Sequence, residues 1–88
     1  MKSLIGKTAV ITGSSRGLGF AIAKACAEQG ANVVLAARTE ATLHSAVAEL
    51  RSRGYKVEGL VCDTAKLEDV EKLAQGAVST FGRLDIWI

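Results

Sequence analysis

Apolar residues come along this chain in short bursts that switch between two rhythms. Residues 8–11 (Thr-Ala-Val-Ile) form a β-branched apolar run, the pattern of a strand buried on both faces. After Gly17 the rhythm becomes helical over about residues 18–29, with Leu18, Ile22, Cys26 and Gln29 on one side and alanines between them. Gly30 suits the left-handed position that ends such a helix. Residues 31–37 (Ala-Asn-Val-Val-Leu-Ala-Ala) predict a second buried strand. Thr39 is placed to cap a second helix, whose inner face is Leu43, Ala46, Val47 and Leu50, ending near Arg53 before Gly54. Residues 55–61 alternate more, Tyr55, Val57, Gly59 and Val61 against Lys56, Glu58 and Leu60, as a strand at a sheet edge does. A third helix gathers Leu67, Val70, Leu73, Ala74, Ala77, Val78 and Phe81 on one face and stops at Gly82. Its Glu68, Asp69 and Glu71 favour the positive end of the helix dipole. Residues 84–88 begin a fourth strand, where Trp87 is expected to pack in the core.

The 88 residues make one small domain at most, burying roughly 60–65% of their unfolded surface. A net charge of +2, with no Lys/Arg run and no basic helix face, argues against nucleic acid or an anionic membrane as partner. There is no apolar run of about 18 residues and no signal-peptide pattern, so the chain reads as cytoplasmic. Cys26 and Cys62 lie far apart with no C-x-x-C, which favours packing over a bridge or a metal site. His44, the only histidine, sits among Thr42 and Ser45 with no catalytic constellation and reads as a surface residue.

The chemistry concentrates in residues 7–20. There a strand, a turn punctuated by Gly13, Gly17 and Gly19, and a helix N-terminus form an anion site, because the first helical N–H groups lack partners and the dipole is positive there. Gly13 would let the chain turn sharply, Gly17 would let backbone approach a pyrophosphate, and Gly19 would let helix and strand pack closely. The spacing is G-x-x-x-G-x-G, not the commoner G-x-G-x-x-G. A Walker loop is excluded: Leu18 stands where its second glycine is needed, and no Lys follows.

Residues 12–19, Thr-Gly-Ser-Ser-Arg-Gly-Leu-Gly, resemble the T-G-x-x-x-G-x-G cofactor motif of the short-chain dehydrogenase/reductase family, most closely its NADP-dependent members that include 3-oxoacyl-(acyl carrier protein) reductases. The resemblance runs over residues 7–88 and covers about the first third of such an enzyme. It implies cofactor contacts at Gly13, Ser14, Ser15, Arg16, Gly17, Leu18 and Gly19, with Arg38 after the second strand and Asp63 and Thr64 after the third. An NAD site carries an acid at the end of the second strand; here Ala37 and then Arg38 stand there. Arg38 and Arg16 together would attract the 2′-phosphate of NADP (NADPH). The competing reading is that both are solvated surface charges. For Asp63, contact with adenine and a purely local turn role stand side by side. Ala65 and Lys66 depart from the family pattern, leaving the third helix without a side-chain acceptor at its start.

The expected fold is α/β: a three-layer, Rossmann-type, doubly wound parallel sheet, N-terminal half only, βαβαβαβ with strand order 3-2-1-4. Residues 1–88 are then a partial NAD(P)-binding domain. The family's Ser and Tyr-x-x-x-Lys acid–base group is not in this chain; Tyr55 is followed four positions on by Gly59. The expected function is the NADP(H)-binding segment of an oxidoreductase acting on a small-molecule carbonyl or alcohol by hydride transfer, with the catalytic residues beyond this chain. The alternative is a non-catalytic NADP-binding module or an inactive fragment. An open fourth-strand edge predicts a marginal, self-associating chain.

Overall fold

A computed structural model of the chain describes residues 3–13, 15 and 17–88. The elements run β1 (Thr8–Thr12), α1 (Gly17–Glu28), β2 (Asn32–Ala37), α2 (Glu40–Ser52), β3 (Val57–Val61), α3 (Leu67–Phe81) and β4 (Ile86–Trp87). The strands form one parallel sheet in the order β3-β2-β1-β4, the expected order. Gly30 and Gly82 carry φ of 93° and 82° and turn the chain away after α1 and α3.

Period-two alternation in the strands divides the core in two. Ala9, Ile11, Val33 and Leu35 face α1 and α2, meeting Ala23 and Ala27 of the first and Leu43, Ala46, Val47 and Leu50 of the second. Val10, Val34 and Ala36 point to the other face, under Leu73 and Ala77 of α3. Both faces of the central strands are therefore covered, which is why their sequences read as unbroken apolar runs.

Close packing decides which residues make contact. Gly59 of β3 lies under α2, where an added Cβ would stand 2.6 Å from Val47 Cγ2. Tyr55 and Lys56 precede β3 rather than opening it. At the strand's outer edge the Arg51 guanidinium donates to the Val57 carbonyl at 2.9 Å and pairs with Glu58 at 3.2 Å. This covers part of an edge that would otherwise be open to another strand.

Four expectations from pattern need correction. α1 rests on the sheet chiefly through Ala23 and Ala27, with Ile22 and Cys26 packed half-buried against the same core, while Leu18 and Gln29 stay outside it. Alanines bring the helix so close that larger residues are displaced to its flanks; Ile22 and Cys26 are half-buried, and Leu18 is 78% exposed. Leu67 and Val78 do not share the inner face of α3: at about 3.6 residues per turn each lies more than about 100° around the helix from Leu73, and both are exposed. Trp87 is not core but 41% exposed, because β4 pairs only with β1. Thr39 occupies the N-cap of α2 as expected, yet its side chain makes no capping bond.

Cys26 and Cys62 are both free thiols. No described helix is long and apolar enough to cross a membrane.

Candidate functional site

Parallel strands deliver their carboxyl ends to one side of the sheet, and the chain opens a cavity there of about 510 Å³. Gly13 and Ser15 line it from the turn after β1; Ala37, Arg38, Thr39 and Thr42 line it from the end of β2 and the start of α2. Cys62 and Thr64 close it beyond β3. Residues from three separate loops thus meet because three neighbouring strands end level with one another, in the register Thr12↔Ala36 and Ala37↔Val61.

The glycine turn has the backbone its sequence demands. Gly13 and Gly17 carry φ of 61° and 66°, a left-handed conformation that side chains rarely adopt. A Cβ added to either would meet nothing within 4 Å, so open space lies over the backbone at both positions. Such a cradle accepts a group that must approach the main chain closely, and the N-terminus of α1 begins at Gly17 with its first N–H groups unpaired within the helix. Gly17, Leu18 and Gly19 form that first turn and do not line the cavity itself. The expected contacts at Ser14 and Arg16 fall outside the described residues.

Arg38 is exposed at the cavity and forms no ion pair among the described residues. The neighbouring Ala37 is buried and has no acid to offer a ribose hydroxyl. Pattern reading did not single out Thr39 or Thr42 as lining residues. Thr42 donates its hydroxyl to the Thr39 carbonyl at 3.1 Å, while the Thr39 hydroxyl makes no capping bond. The hint was the run Arg-Thr at a strand end: an N-cap hydroxyl beside a cation is placed to meet an anion.

Thr64 faces the cavity but Asp63 does not line it. Asp63 Oδ1 accepts the Ala65 N–H at 3.0 Å, and its carbonyl accepts the Lys66 N–H at 2.9 Å, so the local turn role is the one this structure displays. Cys62 is buried beneath the cavity. Its burial, and then the charges of Asp69 and Asp63, push its thiol pKa up, which disfavours a reactive thiolate.

Other cavities among the described residues lie elsewhere. His44 is exposed in a groove of about 390 Å³ between α2 and β3, with Glu40, Arg51 and Glu58. Tyr55 lines a third at the opposite, amino end of the sheet, with Ile5, Asn32 and Lys56. Among the described residues no group of three or more His, Cys, Asp or Glu side chains could hold a metal ion.

Comparison with known proteins agrees with this architecture. Residues 7–88 match the family model described as short chain dehydrogenase. The chain is 43% identical over 88 residues to the uncharacterized oxidoreductase YxnA of Bacillus subtilis (strain 168), covering 100% of this chain and 25% of that protein. L-sorbose reductase from Gluconobacter frateurii, solved in complex with NADPH and L-sorbose, is 41% identical at a TM-score of 0.92, covering 98% of this chain and 33% of that one. A metagenomic short-chain oxidoreductase solved in complex with NADP is 37% identical at a TM-score of 0.87, covering 96% and 38%. The chain spans about a quarter to a third of the length of the curated relatives it matches.

Proposed function

The chain belongs to the short chain dehydrogenase family, and from that premise we propose that residues 1–88 are the partial domain that grips NADP(H) in an oxidoreductase acting on a carbonyl or alcohol. The observation that carries this reading is the cavity at the strand ends, where Arg38, without an ion pair among the described residues, lines the wall beside Ala37 together with Ser15, Thr39 and Thr64. A guanidinium with hydroxyl donors around it matches a 2′-phosphate, and the missing acid removes the feature that favours NAD. The glycine turn and the start of α1 provide N–H groups and open space for the pyrophosphate. Both solved relatives named above hold NADP or NADPH.

When bound, the nicotinamide supplies the hydride chemistry. This segment contributes binding and orientation: Arg38 and the hydroxyls hold one end of the dinucleotide, and the glycine turn holds its middle. Tyr55, the only tyrosine, lies at the amino end of the sheet, far from the cavity, and has no part in this role.

Titration of the protein with NADPH and NADH tests the reading. NADPH is expected to bind more tightly, and Arg38→Ala to shrink the gap by about 1–3 kcal/mol. Equal affinity of the unmutated protein for the two cofactors would overturn the assignment of Arg38.

A further inference from the structure

We propose that Asp69 is a positioning residue for the cofactor cavity: from the first turn of α3 it fastens the loop that carries Cys62, Asp63 and Thr64. This inference rests on the cofactor reading above. The chain leaves the sheet at Cys62, whose N–H makes the last bond to β2, at the Ala37 carbonyl (3.0 Å). The next N–H, that of Asp63, has left the strand ladder and donates to Asp69 Oδ2 at 3.0 Å in a partly buried bond. Asp63 in turn takes the Ala65 N–H on its own Oδ1 at 3.0 Å. Carboxylates thereby take two of the loop's N–H groups, those of Asp63 and Ala65.

The arrangement answers a defect in the sequence. A helix start is commonly fastened by a Ser, Thr, Asp or Asn at the N-cap. Here the N-cap is Lys66, which has no acceptor and makes no capping bond. Asp69 instead ties the helix start to the loop before it, reaching back past the N-cap to the Asp63 N–H, and its charge is favoured at that end of the helix dipole. Neighbouring Glu68 is exposed. With Arg38 on the far wall assigned to the 2′-phosphate, the wall that Asp69 steadies is the one beside the adenosine end of the dinucleotide, through Cys62 and Thr64.

Asp69→Ala and Asp69→Asn, made in the 88-residue chain, test the proposal with two readouts: amide hydrogen exchange at Asp63, and titration with NADPH, NADH and adenosine 2′,5′-bisphosphate. Asp69→Ala is expected to speed exchange at Asp63 while the β1 and β2 amides stay protected. It should weaken all three ligands by about three- to tenfold, the effect of one lost hydrogen bond, and leave the NADPH-to-NADH ratio unchanged because Arg38 is untouched. Asp69→Asn keeps an acceptor oxygen and should stay within about twofold of the parent. Unchanged exchange at Asp63, or a loosened loop with undiminished affinity, would overturn the proposal. Should Asp69→Ala fail to fold, Asp69→Ser takes its place, being polar but one bond too short to reach Asp63. An unmutated chain that binds none of the ligands would overturn the cofactor reading itself, and this inference with it.

Discussion

Asp85, at the entrance to β4, accepts the backbone N–H of Thr8 at the entrance to β1 on Oδ2, at 2.9 Å, across 77 positions of sequence. The same carboxylate receives both arms of the Arg83 guanidinium at 2.7 Å. The Asp85 N–H returns a bond to the Thr8 carbonyl at 2.9 Å. One side chain thus holds the edge strand in register with the centre of the sheet.

A pH dependence follows. The Arg83 hydrogen bonds first, and the Thr8 N–H second, hold the Asp85 carboxyl down at about 2. A pKa depressed in the folded state means stability that is fully present above the unfolded value of about 3.9 and drains away as pH falls towards 2. Urea unfolding followed from pH 5 to pH 2 should show this loss, and Asp85→Asn should flatten that part of the profile. An unchanged slope in the variant would place the acid sensitivity elsewhere.

Thr8 itself carries a cost. Its side chain is fully buried, and among the described residues nothing bonds its hydroxyl. A buried hydroxyl without a partner is destabilising by about 1–3 kcal/mol. Thr8→Val keeps the shape and removes the polar atom, so the urea midpoint should rise, by an amount equivalent to about 1 kcal/mol. A lower midpoint would show that the hydroxyl is satisfied.

Ala37 occupies the place where a carboxylate would select NAD. Ala37→Asp puts a negative charge next to the proposed 2′-phosphate position beside Arg38. NADPH affinity is expected to fall about tenfold or more while NADH affinity holds or improves. Parallel titrations with the two cofactors check it; equal losses for both would point to disrupted packing around a residue that is only 7% exposed.

Gly17→Val is expected to reduce dinucleotide binding through two effects. The branched side chain would fill the open space above the turn, and it would have to adopt a φ of 66°. Gly17→Ala shares the backbone strain but projects less into the open space above the turn. Valine should therefore cost more affinity than alanine, while the two lower the unfolding midpoint by similar amounts. A pair equal in affinity would assign the whole effect to the backbone.

Much of this protein was legible along the chain because it depends on neighbours a few residues away. The inner face of α2, Leu43, Ala46, Val47 and Leu50, follows from helical spacing alone and is buried as that spacing requires. The glycine turn follows from a backbone conformation that few other residues tolerate, and the strand order 3-2-1-4 from right-handed crossovers together with the family topology the motif implied. What lies on a helix flank or a sheet edge did not follow, because burial there depends on how closely two elements approach and on what stands beside them. Ala23 and Ala27 draw α1 onto the sheet and leave Leu18 outside; β4 has one neighbour, so Trp87 stays exposed. The bond from Asp85 to Thr8, and the meeting of Arg38 and Thr39 with Thr64 around one cavity, join groups that no local rhythm relates. Only the stacking of parallel strands, which brings their starts to one side and their ends to the other, sets these residues within reach of one another.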